Sequence, residues 1–234
     1  MRLEILPVTD LPEVVEGDDL AALIAAHASL RDGDVVVVAQ KIVSKAEGRL
    51  MPVDPSRRGE ERARLVEQES VRLVAERGDT KIVETRHGFV CANAGIDASN
   101  VPPDRIALLP EDPDASAETI RGKLSAAAGV RVGVIVSDTF GRPWRMGQTN
   151  VAIGVAGLAP LRDHRGEKDS FAMPLEATVI AVADELAGAA ELVMRKSDGV
   201  PVAIVRGYED AGTPGSAREL IRPAEEDLFR RGVL

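Results

Sequence analysis

The segment Gly133-Val134-Ile135-Val136-Ser137-Asp138-Thr139 runs an apolar stretch into a carboxylate and a hydroxyl. Fixed together at a strand end, such a pair can hold a hard divalent cation that itself grips phosphate oxygens. Arg142 and Arg145 follow at once, and guanidinium groups pair with phosphate or carboxylate through two parallel hydrogen bonds. The plainer structural reading makes Asp138 the cap of a following turn and the lone Trp144 a core anchor. A second apolar run, Val35–Val38, leads into Ala39-Gln40-Lys41-Ile42-Val43-Ser44-Lys45. If the residues after it coil into a helical turn, Lys41 and Lys45 share one face, where two ammonium groups suit a polyphosphate. A solvated basic turn is the alternative. The third segment, Cys91 to Val101, consists of small and turn-forming residues. In it Asp97 and Asn100, three apart, can offer a carboxylate and an amide to one ligand, or simply close an Asx turn.

Several other chemistries are excluded. No G-x-x-x-x-G-K-[ST] loop occurs, since Gly141 and Gly147 are wrongly spaced and Gln148 follows. No G-x-G-x-x-G follows a strand, and neither G-x-S-x-G nor H-E-x-x-H is present. The single Cys91 rules out an internal disulfide and, with only His27, His87 and His164, argues against a Cys/His zinc site. Cys91 itself reads as buried and inert, and the three histidines as structural or exposed. Across 234 residues, 38 acidic side chains face 29 basic ones, a formal charge of −9 that argues against a nucleic-acid partner. Six aromatic residues are too few for a base-stacking surface. The N-terminus lacks the pattern of an export leader, and no apolar stretch is long enough to span a bilayer, so a cytoplasmic location away from membranes is expected.

The elements that must position these residues alternate between strand and helix patterns. Val35–Val38, Val132–Val136 and Val202–Val205 read as buried strands, the second ending in Asp138-Thr139. Lys81–Glu84 and Gly88–Ala92 suggest a hairpin across Thr85-Arg86-His87. Helices are expected over Asp18–Leu30, Glu60–Arg77, Ser116–Ala128 and Ala181–Met194. Arg162–Ser170 is polar enough to be an exposed loop, and prolines at 102, 103, 110 and 113 mark irregular connections. The pattern is that of a mixed α/β (α+β) protein.

Taken together the segments resemble the γ-glutamyl ligase family that adds glutamate to the deazaflavin coenzyme F420. The resemblance rests on Leu11-Pro12-Glu13-Val14, on Gln40 to Arg49, on Asn93-Ala94-Gly95-Ile96-Asp97 with Asn100, and on Ser137-Asp138-Thr139-Phe140-Gly141-Arg142. It continues through Ala183-Asp184-Glu185-Leu186-Ala187 and Pro223 to Arg230, in order along nearly the whole chain. It implies a GTP-dependent, amide-forming ligase that phosphorylates the phospholactyl carboxylate of coenzyme F420-0 and then admits L-glutamate, later adding γ-linked glutamates. It implies Asp97, Asp138 and Thr139 as ligands of Mg²⁺ or Mn²⁺, with a monovalent cation as a further expected ion. Nucleotide contacts are implied at Leu11, Pro12, Glu13, Val14, Gln40, Lys41, Lys45, Asn100, Met194 and Lys196. Lys41, Lys45, Arg142 and Arg145 are expected to offset charge in the transition state. The fold implied is one of two intertwined subdomains, neither P-loop nor Rossmann, in a homodimer. Residues 1–210 would form the ligase domain, and residues 211–234 a segment packing on it or on the partner. Many members carry Gly-Gln in the late nucleotide loop, the Gln reaching a metal, where this chain has Arg195-Lys196; that departure puts the number of metals in question. A metal-dependent nucleotide phosphohydrolase and a non-enzymatic nucleotide-binding protein remain as alternatives.

Overall fold

The valine run at 35–38 has no polar face because it has no solvent face. Val36 and Val38 pack into one hydrophobic core, Val35 and Val37 into a second on the opposite side of the same strand. Alternate residues of a strand point to opposite faces, so a strand covered on both sides reads as a continuous apolar run.

The computed structural model describes residues 2–210 and 212–228. In chain order the elements are β1 (Glu4–Val8), α1 (Leu20–His27), β2 (Val35–Ala39), α2 (Gln40–Ala46), β3 (Leu50–Pro52), α3 (Arg58–Glu69), β4 (Ser70–Arg77), β5 (Thr80–Thr85), β6 (Val90–Ala92) and β7 (Arg105–Ala107). The later ones are α4 (Pro113–Ala128), β8 (Gly133–Arg142), β9 (Arg145–Ala156), β10 (Arg162–Asp163), β11 (Val179–Ile180), α5 (Val182–Met194) and β12 (Val202–Arg206). The main sheet has the order β1-β12-β2-β8-β9. Only β2 and β8 pair in parallel; the other neighbours are antiparallel. Helices α1 and α4 cover one face and α5 the other. Asp19 caps α1 through the N–H groups of Ala21 and Ala22, and Asp112 caps α4 through that of Ala115. Burying each Val, Ile or Leu of these cores contributes about 1.5–3 kcal/mol before chain entropy is counted.

A smaller third core gathers Leu65 and Val66 of α3, Val83 of β5, Ala94, Ile96, Ile106 of β7 and Leu108. The architecture is mixed α/β, as the sequence indicates, and carries neither a P-loop nor a Rossmann unit. The hairpin predicted across Thr85-Arg86-His87 is present as β5 and β6.

Three expectations are corrected. The helix predicted over Glu60–Arg77 stops at Glu69, and Ser70–Arg77 is instead β4, paired antiparallel with β5. Val71, Leu73 and Val74 continue the apolar spacing of the helix, but pairing with β5 decides their conformation. The strand predicted to end at Asp138-Thr139 runs on to Arg142 and turns into β9. Trp144 sits at that turn, 87% exposed, and is not a core anchor.

Within the C-terminal segment, Gly215 to Arg218 pack on the chain's own body, the Gly215 N–H donating to Leu158 O at 3.1 Å. Ala217 is buried, its N–H donates to Asp114 at 2.8 Å, and Arg218 pairs with Asp112 at 3.1 Å. The rest of that segment, residues 229–234, lies outside the described residues.

Candidate functional site

Strand directions explain why distant segments meet. Because β2 and β8 are parallel, their carboxyl ends lie side by side, Ala39 in register with Ser137. The antiparallel pairs β1·β12 and β12·β2 turn β1 the same way, so its carboxyl end reaches this edge too. The β12·β2 reversal brings the amino end of β12 to it, and the antiparallel β8·β9 pairing brings Asn150 of β9. Ligand sites in open sheets favour such an edge, where rigid strands fix groups that loops expose.

A cavity of about 410 Å³ opens there. It is lined by Leu11, Pro12, Glu13 and Val14 after β1; by Gln40, Lys41 and Lys45 on α2; by Ser137, Asp138 and Thr139 of β8; and by Met194 at the end of α5 with Arg195 and Lys196 after it. Asp97 and Asn100 enter from the smaller lobe. The sequence expectations for these residues converge on one place.

Lys41 and Lys45 share a face of α2, as the four-residue spacing predicts, but neither points bare into the cavity. Lys41 Nζ lies 2.7 Å from Asp97 Oδ2 and donates to Ser99 O, also at 2.7 Å. Lys45 is buried to 8% exposure and pairs with Glu13. The loop that supplies Asp97 depends on local backbone chemistry. Asn93, Ala94 and Gly95 all have positive φ, and a Cβ at Gly95 would lie 2.9 Å from the Leu109 side chain, so only glycine fits. Asp97 is held from both sides by backbone hydrogen bonds to Ala107. It also closes the Asx turn onto the Ser99 N–H at 2.7 Å.

A β-bulge separates the pairs Val136–Gly154 and Ser137–Ala152 just before Asp138. Bulges re-aim the side chains that follow them, and here the next ones are Asp138 and Thr139. Burial, reinforced by the negative charge of Asp97, pushes the Asp138 carboxyl up to about 6 against the pull of the Thr139 N–H, Lys196 and Lys41. Burial works against the Asp97 carboxylate too, but the Lys41 ammonium and Ser99 outweigh it and hold the group below its ordinary value. At the end of α5, Arg195 takes φ 52°, ψ 170°, a backbone conformation rare for any residue with a side chain, and turns Lys196 inward. Lys196 Nζ donates to Thr139 Oγ1, and the amide of Asn100 approaches Lys196 O at 3.4 Å.

Arg142 and Arg145 are not brought to the cavity. They belong to the exposed turn of the β8–β9 hairpin, where Arg142 donates to Met146 O at 2.6 Å. A strand advances about 3.3 Å per residue, so four positions carry Arg142 about 13 Å beyond Asp138. Cys91 is buried, and burial together with the Asp138 charge pushes its thiol up to about 12. The histidines are structural: His27 bonds Leu23 O, His87 bonds Pro110 O and stacks on Phe89, and His164 bonds Glu167.

A family model described as F420-0:Gamma-glutamyl ligase matches residues 9–207. The chain belongs to this family. It is 44% identical to the coenzyme F420:L-glutamate ligase of Methanothermobacter thermautotrophicus, over 98% of this chain and 100% of that protein. It is 44% identical to the protein of the same name from Archaeoglobus fulgidus, over 99% and 98%. The protein of that name from Methanopyrus kandleri is 45% identical, over 97% and 98%.

The donor set of this F420-0:γ-glutamyl ligase family member fits a hard divalent cation. Among the described residues no group of three or more His, Cys, Asp and Glu side chains converges on a metal position. Two carboxylates and a hydroxyl suffice for Mg²⁺, which keeps several waters and takes its remaining ligands from substrate phosphates. Asp138 is the half-buried carboxylate, its charge disfavoured by the protein around it, that such a cation would relieve. The Ser137 hydroxyl, 2% exposed in the cavity wall, has no hydrogen-bond partner among the described residues, which also marks a surface built for a polar ligand.

Sequence reasoning missed two residues of this wall, Asn150 on β9 and Glu191 on α5. Neither belongs to a recognisable motif. Register alone places Asn150 opposite Thr139, and helix docking alone brings Glu191 to Asn150.

Proposed function

We propose that this chain is a GTP-dependent ligase that joins L-glutamate to the phospholactyl carboxylate of coenzyme F420-0 and then extends the tail through γ-linkages. The observation that carries the reading is geometric. Every residue that the family resemblance assigns to nucleotide or metal lines a single cavity. The relatives named as coenzyme F420:L-glutamate ligases support the choice of substrates.

In this reading the γ-phosphoryl group of GTP passes to the substrate carboxylate, breaking its bond to GDP and forming an acyl phosphate. The amine of L-glutamate then attacks the carbonyl carbon. An amide bond forms, inorganic phosphate leaves, and the amine's proton is lost. A carboxylate is a poor electrophile, and phosphorylation turns its oxygen into a leaving group. Asp97, Asp138 and Thr139 would hold Mg²⁺ or Mn²⁺, which when bound would supply positive charge to the phosphate oxygens. Lys41 and Lys45 stand on one face of α2, where they can exchange their carboxylate partners for phosphate. Lys196, a donor-only cation, adds fixed charge on the far side of Thr139. Leu11, Pro12 and Met194 supply the apolar part of the wall, suited to a nucleobase and ribose.

The same reading takes the enzyme to be a cytoplasmic homodimer. No helix among the described residues is long and apolar enough to cross a membrane. The deciding experiment supplies purified protein with GTP, Mg²⁺ or Mn²⁺, L-glutamate and coenzyme F420-0, and weighs the products by mass spectrometry. A product heavier by glutamyl units, with GDP released, is expected. Active precursor left unchanged refutes the proposal. GTP loss in the absence of both co-substrates would indicate a phosphohydrolase instead, and GTP binding without turnover a binding protein. Light scattering on the eluting peak tests the dimer.

A further inference from the structure

Thr139 has a hydroxyl that can rotate, and its direction decides what the cavity offers. Turned inward, the O–H presents a proton and repels a cation. Turned outward, it leaves lone pairs facing in. Asn150, buried on β9 and directly opposite Thr139 in register, receives that hydroxyl: Thr139 Oγ1 lies 2.6 Å from Asn150 Oδ1. The other end of the Asn150 amide, Nδ2, lies 3.0 Å from Glu191 Oε2.

A carboxylate has only acceptor oxygens, so Glu191 can face only the N–H end of the Asn150 amide. The end left toward Thr139 is then the carbonyl, which can only accept. The Thr139 proton must therefore point to Asn150, and its lone pairs must point to the cavity. Lys196 agrees with this polarity, because an ammonium group can approach Thr139 Oγ1 only on a lone pair and so excludes the proton from that side.

The surrounding fold holds the relay in place. Helix α5 is pinned to β9 by Asp184, whose carboxylate accepts from the Ala152 N–H at 2.8 Å. About one turn before Glu191, Gly188 faces β9, where a Cβ would meet Thr149 Oγ1 and Asn150 O at 3.4 and 3.8 Å, ordinary contact distances.

We infer that Glu191 and Asn150 are positioning residues that fix the Thr139 hydroxyl with its lone pairs toward the cavity, so that Thr139 can bind a divalent cation. This rests on the metal reading given above. The test is a titration with Mn²⁺ in the presence of GDP, read by electron paramagnetic resonance, with thermal melting in parallel. Glu191→Gln is nearly isosteric, but the introduced amide can donate as well as accept, so the Asn150 amide is free to flip and the Thr139 proton to turn inward. Loss of an outer-shell partner typically weakens metal binding about 10–100-fold, and a loss of about tenfold is expected here with little change in melting temperature.

The double variant Asn150→Asp plus Glu191→Gln exchanges acid and amide at constant net charge. The introduced amide then donates to the introduced carboxylate, which again accepts from Thr139. Mn²⁺ affinity is expected to return to within about threefold of the native chain, well inside the single-variant loss. Equal Mn²⁺ affinity for the native chain and Glu191→Gln overturns the inference, as does a double variant no better than the single one. If Glu191→Gln does not fold, the double variant decides alone, recovery supporting the inference and a loss beyond about tenfold overturning it. Failure of the native chain itself to hold Mn²⁺ is a different result, which removes the metal reading and this inference with it.

Discussion

Asp138→Asn should make the metal-free protein more stable while abolishing its ligase activity. The Asp138 carboxyl is raised from an ordinary 3.8 to about 6, chiefly by burial. Above pH 6 both folded and unfolded chains carry the charge, and the folded one bears a cost of about 3 kcal/mol at about 1.4 kcal/mol per pH unit. Asparagine removes that cost but weakens the hydrogen bond from the Thr139 N–H, a loss of about 1 kcal/mol. The net gain is about 2 kcal/mol, or about 4–8 °C in melting temperature for a chain of this size. The sign reverses the usual acid behaviour. As pH falls through 6 toward 4, the native carboxyl takes up its proton, its cost disappears, and the two proteins converge. Differential scanning calorimetry at pH 8, 6 and 4.5 in EDTA measures the gap. A variant less stable than the native chain at pH 8, or a gap that does not shrink with acid, would refute the assignment of Asp138 as a half-buried, charge-strained group. Retained near-native turnover would separately remove it from the metal site.

Lys45→Met should weaken GTP binding at least tenfold by calorimetric titration, since a charge-assisted hydrogen bond contributes about 1.5–3 kcal/mol. Its present partner Glu13 is largely exposed, so stability should change little. Gly154→Ala should destabilise the fold by about 3 kcal/mol or more in urea, because a Cβ there would stand 2.1 Å from Pro113 O at the start of α4. A change under about 0.5 kcal/mol would show that the α4–β9 contact yields easily. The Cys91 thiol, pushed up to about 12 by burial, should resist disulfide-exchange reagents at pH 8 until denaturant is added. Prompt reaction in the native state would contradict its placement.

What the sequence revealed was whatever local chemistry decides. The strands at 35–38 and 202–205 and the helix ending at Met194 are each encoded by their own residues, and they occur where the pattern puts them. The second half of Glu60–Arg77 was illegible because its spacing suits a helix while its partner, β5, lies outside the window. Trp144 misled because size predicts burial only on average, and a hairpin tip has no core to enter. Most residues of the cavity wall were legible through the family motifs. Arg142 and Arg145 were wrongly expected there, since nearness in sequence along an extended strand is distance in space. Asn150 and Glu191 looked like an ordinary strand residue and an ordinary helix residue. Their role arises from β8–β9 register and from the docking of α5, neither of which a single chain segment contains.

The pairing of Lys41 with Asp97 has a consequence for selectivity. The cavity wall brings counterions for Lys41 and Lys45, so an entering anion that takes either must displace a carboxylate. A bare polyphosphate that captured Lys41 would strand Asp97 beside Asp138, two negative charges without compensation. A polyphosphate arriving with a divalent ion leaves neither group alone, because the lysine turns to phosphate while the carboxylate turns to the ion. In the ligase proposed above, the resting ion pair would therefore act as a coincidence detector, favouring the two charges together over either one by itself. Its binding should depend less steeply on salt than four cations in one wall would suggest, because most of the exchange takes place inside the protein.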